Sequence, residues 1–169
     1  MGMVVDLATA RRIRDQAKKQ GMRVVFTNGC FDILHRGHVE YLNEAKALGD
    51  ILILGLNSDV SVRKIKGKGR PVQNDEDRAT ILSNLSSVDY VVMFHEKTPR
   101  RLIETLLPDV LVKGGDYSVE DVVGREAVWE SGGEVVIVKE REGCSTSNLI
   151  EKIASLGSTS SAVTHDDPT

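Results

Sequence analysis

The 169-residue chain lacks several features that would place it in particular protein classes. No apolar run approaches the roughly 18 residues that span a bilayer, and the charged, helix-patterned start has no apolar region typical of a secretory signal. The two cysteines, Cys30 and Cys144, are too far apart in sequence to form a metal-binding pair. We therefore expect a cytoplasmic protein with free thiols and no membrane partner.

The chain also lacks an excess of basic charge and is poor in aromatic residues. Its 22 Lys and Arg stand against 25 Asp and Glu, a net charge of −3. A protein that neutralises many nucleic-acid phosphates usually shows a basic stripe or excess, so nucleic acid is not an expected partner. A few local cations are enough to hold a phosphorylated small molecule. With 4% aromatics, the core should consist mainly of Val, Ile, Leu and Ala.

Short apolar strands alternate with helical patterns along the chain. We predict strands at 24–26, 51–56, 88–94, 109–112 and 134–138. We predict helices at 7–20, 37–48, 75–85, 99–106 (capped by Thr98) and 123–130, and a last one from Ser145 or Thr146 to about Ala154. The 51–56 run is apolar without alternation, which is typical of a strand covered on both faces. The fold class is therefore α/β, a single Rossmann-like doubly wound parallel sheet.

Two segments have no core-facing pattern. The Lys- and Gly-rich stretch at 61–74 has the composition of a mobile loop. The tail at 155–169 is rich in Ser, Thr and Asp, and we expect it to be disordered. This leaves one domain at 1–154, whose N-terminal helix lies within 1–21.

The most informative stretch is 27–38, which follows the first strand and opens a helix. In a doubly wound sheet this is where ligands bind, and a helix N-terminus attracts anions. His35 and His38, three residues apart across Gly37, can both face such a site. The glycine leaves room for a phosphate to approach the backbone.

Other roles for the two histidines remain open at this point. Closely spaced histidines are often structural or at the surface. A zinc site would need further ligands, and the other histidines, His95 and His165, form no obvious set with them. Phosphate recognition fits the position at a strand end better.

The pattern Phe31-Asp32-x-x-His35-x-Gly37-His38 resembles the HxGH signature of the nucleotidyltransferase superfamily. The resemblance implies that the two histidines bind the triphosphate of a nucleotide and stabilise the negative charge that develops in the transition state. A second segment, Gly143 to Ser147, resembles the family's hydroxyl-rich motif at the start of the last helix, which holds the β- and γ-phosphates. The two motifs occur in the family's order at opposite ends of one domain.

Further segments within 22–153 resemble one subgroup, the D-glycero-β-D-manno-heptose 1-phosphate adenylyltransferases in their stand-alone form. They are 26–35, 55–59, 66–72, 111–117 and 143–146. The resemblance implies adenylyl transfer from ATP to a heptose 1-phosphate, giving ADP-heptose for lipopolysaccharide core biosynthesis. One departure is Glu140, where many cytidylyltransferases have Arg; Arg141 is offset by one position.

The resemblance also implies roles for individual residues. Catalytic roles fall on His35, His38 and Lys66. Nucleotide binding falls on Asn28, Gly29, Cys30, Phe31, Gly37, Arg70, Lys113, Gly114, Gly115, Asp116, Cys144, Ser145, Thr146 and Ser147. Contacts to the sugar substrate fall on Asp32, Asn57, Asp59 and Arg78.

Structural roles remain open for several of these residues. A run of loop cations is usually a solvated face, and the segment at 113–117 has the composition of a plain turn. Asp32 at a turn caps well without any ligand. Arg78 either contacts phosphate or pins the loop before it.

The expected partners are small molecules and a second copy of the chain. ATP is the co-substrate, and Mg²⁺ bridges phosphate oxygens without a dedicated protein site. The family resemblance implies a homodimer. Rival hypotheses are a glycerol-3-phosphate cytidylyltransferase, an adenylyltransferase of FAD or coenzyme A synthesis, and a nucleotide-binding module without turnover.

Overall fold

The computed structural model describes residues 1–115, 118–139, 143 and 145–159. Its strands are β1 (Met3–Val4), β2 (Val24–Gly29), β3 (Ile51–Asn57), β4 (Tyr90–Phe94), β5 (Val110–Gly114) and β6 (Glu134–Val138). Its helices are α1 (Leu7–Lys19), α2 (Arg36–Lys46), α3 (Asp59–Lys66), α4 (Asp75–Ser83), α5 (Arg100–Leu106), α6 (Arg125–Glu130) and α7 (Thr146–Thr159). A single 3₁₀ turn spans Val119–Asp121.

The strands form one six-stranded sheet in the order β1-β4-β3-β2-β5-β6. Each neighbouring pair is parallel. The chain moves outward from β2 through β3 to β4 on one side, and through β5 to β6 on the other. The order therefore reverses between β2 and β5, and ligands of such sheets bind outside the carboxyl ends of the strands at this point.

Successive residues of the buried strands point to opposite faces of the sheet, which produces two apolar layers. Leu52 and Leu54 pack with the buried residues of α2 and α4. Phe26 and Ile53 pack with those of α1, α5 and α6. The continuous apolar run in β3 is explained by helices on both faces, and the predicted doubly wound α/β fold is confirmed.

The predicted mobile loop at 61–74 is wrong in its first half, which is helical. The α3 helix begins because the Ser58 side chain accepts a hydrogen bond from the amide of Ser61, and it packs the buried Val62 against the molecule. It ends at Gly67, whose φ of 89° lies in the left-handed region that favours glycine. Because α3 buries only Ser61 and Val62, its sequence has too little hydrophobic periodicity to outweigh the Lys and Gly composition.

Three smaller differences concern the ends of elements. The two-residue β1 was not predicted, because its pairing with Tyr90 and Val91 is the only feature that defines it. The cap of α5 is Pro99 rather than Thr98, and no side chain caps this helix. The last helix continues beyond Ala154 to Thr159, so the prediction of a disordered tail is wrong for residues 155–159. Residues 160–169 lie outside the described part, so a disordered tail stays a prediction.

No helix among the described residues is both long and apolar enough to cross a membrane.

Candidate active site

A cleft of about 540 Å³ opens at the carboxyl ends of β2, β3 and β5. Most of the site residues predicted from the sequence line it: Asn28, Gly29, Cys30, Phe31, Asp32, His35, Gly37, His38, Asn57, Lys66, Arg70, Lys113, Gly114, Ser145, Thr146 and Ser147. Three do not, namely Asp59, Arg78 and Gly115. Asp116 and Cys144, like the departure at Glu140 and Arg141, lie outside the described residues.

The turn from β2 into α2 brings its two histidines together. Their rings are stacked, with centroids 3.8 Å apart and an interplanar angle of 19°. Phe31, which adopts a positive φ of 44°, meets the His38 ring edge-on at a centroid distance of 5.2 Å. His35 is the N-cap residue of α2 but makes no side-chain capping bond. The first turn of α2 therefore presents its amides and both imidazoles to one small region of the cleft.

His38 is unusual in both its hydrogen bonding and its electrostatics. Its Nδ1 is buried, and no described residue provides a hydrogen-bond partner for it. Burial lowers the pKa of His38 to about 4, and the neighbouring His35 adds to this lowering. A buried polar atom without a partner is costly, and such atoms are rare in folded proteins. This arrangement indicates that the Nδ1 of His38 forms a hydrogen bond to a bound ligand.

The N-terminus of α7 lies against the same turn. The Thr146 hydroxyl donates to the carbonyl oxygen of Ile33 at 3.3 Å, which joins the two predicted motifs across the cleft. The Ser145 hydroxyl accepts from the amide of Asn148 at 3.0 Å and so caps α7. Two helix N-termini with their partial positive charges thus converge on one place, as binding of a polyphosphate requires.

A second group of cations reaches the cleft from the segment that follows β3. Lys66 is the last residue of α3, and Arg70 lies in the loop after it. The Arg70 Nε donates to Oδ2 of the buried Asp32 at 2.6 Å. Asp32 also accepts from the amides of Val72 and Gln73. The Asp32 carboxylate is thus engaged by this loop, and its predicted contact with the sugar stays a prediction.

Arg78 was predicted either to contact phosphate or to pin a loop. Its side chain has no exposed surface and donates to the carbonyl oxygens of Cys30, Asn57 and Gln73. It also forms an ion pair with Asp59 at 2.8 Å. These contacts favour the pinning role for Arg78, and they explain why neither Arg78 nor Asp59 lines the cleft.

The end of β5 supplies the remaining predicted residues. Lys113 and Gly114 line the cleft, and the Lys113 Nζ lies 3.5 Å from the Asn28 Oδ1. Cys30 lies near them, and burial raises the pKa of its thiol although the cations Lys66, Arg78 and Arg70 oppose this effect. Cys30 is therefore a neutral thiol at physiological pH and lacks the activated thiolate that a nucleophile needs.

Several lining residues were missed by the sequence analysis. They follow β4 and β5 or lie on neighbouring elements: Tyr41, Ile65, Lys97, Thr98, Pro99, Leu111, Asp121, Val122 and Val123. The rule that ligands bind at the carboxyl ends of parallel strands points to the turns after β4 and β5. Nothing in the sequence says which side chains of those turns face inward.

The chain matches a family model described as cytidylyltransferase-like over residues 26–152. It belongs to this family. The assignment confirms the nucleotidyltransferase class predicted from the two motifs, and the match covers both of them. A nucleotide co-substrate follows from the family.

Two known proteins are similar to most of this chain. The bifunctional protein HldE of Pasteurella multocida is 53% identical over 153 residues, which cover 90% of this chain and 32% of that protein. The bifunctional protein HldE of Geobacter sulfurreducens is 60% identical over 136 residues, which cover 80% of this chain and 28% of that protein. The chain thus spans about a third or less of the length of these relatives.

Solved structures agree with the fold. The lipopolysaccharide core biosynthesis protein from Thermoplasma volcanium is 32% identical with a TM-score of 0.59, covering 72% of this chain and 98% of that one. The pantoate-beta-alanine ligase from Francisella tularensis has a TM-score of 0.61 and covers 84% of this chain and 68% of that one. At 14% identity the ligase supports the fold alone.

Proposed function

We propose that the protein transfers the adenylyl group of ATP to the phosphate of D-glycero-β-D-manno-heptose 1-phosphate. The products are ADP-heptose and pyrophosphate. The observation that carries nucleotidyl transfer is the meeting of the paired histidines with the N-terminus of α7 at one cleft. The sugar is supported by the subgroup resemblance and by the similarity to the Thermoplasma protein, which is named for lipopolysaccharide core biosynthesis.

The reaction is an in-line displacement at the α-phosphorus. An oxygen of the sugar phosphate forms a bond to this phosphorus, and the bond to the bridging oxygen of the leaving pyrophosphate breaks. Positioning and charge neutralisation suffice for such a transfer, so no covalent intermediate with the protein is needed. His35 and His38 donate hydrogen bonds as negative charge moves onto the pyrophosphate.

The remaining residues hold the two substrates. Ser145, Thr146 and Ser147 bind the β- and γ-phosphates with the amides of α7. The end of β2 and the segment from Lys113 to Asp116 hold the adenosine. Lys66 neutralises phosphate charge beside the reacting atoms.

Three further features belong to this proposal. Mg²⁺ held by the substrate phosphates would neutralise part of their charge. A homodimer is expected from the family resemblance. The cytoplasm is the expected location because it supplies ATP.

Pyrophosphate release across a grid of four nucleotides and a panel of phosphorylated acceptors tests the proposed function. We expect the highest kcat/KM for ATP with the heptose 1-phosphate. A preference for CTP with glycerol 3-phosphate would instead establish a glycerol-3-phosphate cytidylyltransferase, the alternative with which the description of the family is consistent. Tight ATP binding without pyrophosphate release for any acceptor would establish a binding module.

Replacing Lys66 by alanine should lower kcat/KM by about 10- to 100-fold, since a hydrogen bond to a charged group contributes roughly 1.5–3 kcal/mol. Steady-state kinetics with each substrate varied in turn measure the effect. Lys64, one of the exposed residues of the same helix, provides the matched control as Lys64→Ala. If Lys66→Ala behaves like this control, Lys66 belongs to the solvated surface.

A further inference from the structure

Two charged side chains are buried at the cleft, Asp32 in its lining and Arg78 outside the lining. Burial of a charge is costly unless the charge is paired and hydrogen-bonded. Asp32 and Arg78 each have 1% of their surface exposed. The protein maintains both charges at a site whose substrates are themselves charged. The partners of the two side chains therefore indicate what they do.

The hydrogen bonds that the Asp32 carboxylate accepts come from one loop, residues 67–73, which we call the acceptor loop. Oδ1 accepts from the amides of Val72 and Gln73 at 2.8 and 3.0 Å, and Oδ2 accepts from the Arg70 Nε at 2.6 Å. Burial works to raise the pKa of Asp32, but the Gln73 and Val72 amides and Arg70 outweigh it, so the pKa is lowered. Asp32 is thus a carboxylate whose acceptor positions are used within the chain.

Arg78 holds the far end of the same loop. Its Nε donates to the Gln73 carbonyl oxygen at 3.1 Å, and one Nη donates to the carbonyl oxygens of Cys30 and Asn57 at 2.6 and 2.8 Å. Cys30 directly follows β2, and Asn57 is the last residue of β3. Arg78 therefore fixes the acceptor loop relative to the strand ends that form the cleft floor.

The N-terminal part of the acceptor loop is not held in place by packing. Gly67 and Gly69 have positive φ values of 89° and 86°, and a Cβ built on either would meet no described atom within 4 Å. Their surroundings are open, so packing around the two glycines does not fix the position of Arg70. The hydrogen bonds that join the loop to Asp32 and to Arg78 fix it instead.

Arg70 is the residue that this arrangement presents to the cleft. Its side chain is 18% exposed and lines the cavity. Its bond to Asp32 uses Nε, and no described residue accepts from its two Nη groups. A guanidinium held in this way offers one edge to a phosphate, with which Arg forms paired hydrogen bonds.

We infer that Asp32 and Arg78 are positioning residues that fix the acceptor loop so that Arg70 meets the phosphate of the sugar substrate. The choice of substrate rests on the proposed function, in which two phosphorylated molecules must bind together. The helix N-termini and histidines form one anion-binding subsite, and the acceptor loop forms the second. This assigns Asp32 a role through Arg70 in place of a direct sugar contact.

Asp32→Asn tests the inference, because it keeps the side-chain shape and removes the charge. Hydrogen exchange at the Val72 and Gln73 amides should become about tenfold faster or more, since a charge-assisted hydrogen bond is roughly twice as strong as a neutral one. Exchange in β3 should not change. Asp50→Asn is the matched control, since Asp50 accepts from the Arg23 amide at 2.7 Å beside the amino end of the sheet. This arm needs no substrate, so it stands even if the proposed function fails.

A kinetic arm separates positioning from general stability. In Asp32→Asn, the KM for the sugar phosphate should rise about tenfold or more while the KM for ATP changes little, because the loss concerns one subsite. Arg78→Lys, which keeps the charge but loses the forked donor set, should give the same split. Arg70→Gln breaks the Asp32 contact from its exposed end and should also speed exchange at Val72 and Gln73.

Two results would overturn the inference. Unchanged exchange at Val72 and Gln73 in both Asp32→Asn and Arg70→Gln would show that Asp32 does not hold the loop. Equally faster exchange in β3 and in the loop, with both KM values raised together, would show a general loss of stability.

Discussion

Replacing His38 by alanine is expected to lower kcat for adenylyl transfer by about 10²–10³-fold, the loss typical of one transition-state donor. In the free protein the imidazole Nδ1 is buried, and no described residue pairs with it. The Nδ1 therefore adds no hydrogen bond to the stability of the free protein and acquires its partner when a phosphate is bound. His38→Ala should accordingly keep its melting temperature while it loses turnover.

The measurement is single-turnover and steady-state pyrophosphate release, accompanied by thermal unfolding of both proteins. His95→Ala is the matched control, since His95 is exposed and does not line the cleft. His35→Ala should resemble His38→Ala because the two rings are stacked over the same region. Turnover of His38→Ala within a few-fold of the unaltered protein would contradict the role of His38 in transition-state stabilisation.

The sequence was sufficient to predict the fold because the strongest hydrophobic patterns along the chain coincide with the buried strands and helices. In β3, six consecutive positions are buried, and only a strand covered on both faces needs such a run. The α3 helix was missed for the opposite reason. It buries only Ser61 and Val62 and exposes its cations, so its composition resembles that of a loop.

The candidate site divides in the same way. His35 and His38 could be found because their chemistry is local to one turn, and Ser145 and Thr146 because they open a helix. The role of Asp32 depends on amides 40 and 41 positions away along the chain. No pattern in the sequence predicts such a pairing, because it is set by the packing of α4 and the path of the acceptor loop.

Nucleotide binding should become tighter as the pH falls from neutral toward the pKa of His38 in the free protein, because His38 takes up a proton on binding. Burial holds the pKa of His38 near 4 in the free protein, so the imidazole is neutral at neutral pH. A polyphosphate against the ring favours the imidazolium and must raise this pKa. A group whose pKa rises on binding takes up a proton, so affinity increases as the pH falls below the pKa of the complex. The gain approaches about tenfold per pH unit and ends near the free pKa.

Calorimetric titration with an ATP analogue that carries a methylene group between the α- and β-phosphorus, in buffers of different ionisation enthalpy, measures this proton uptake directly. The terminal phosphate of the nucleotide also titrates, and His38→Gln supplies that background because it keeps a polar side chain without the titration. Equal proton uptake and equal pH dependence in the two proteins would mean that His38 stays neutral in the complex. Its contribution would then be the hydrogen bond of a neutral imidazole, which is weaker than one from an imidazolium. Greater proton uptake by the unaltered protein than by His38→Gln, with a difference that grows below pH 7, would establish that nucleotide binding protonates His38.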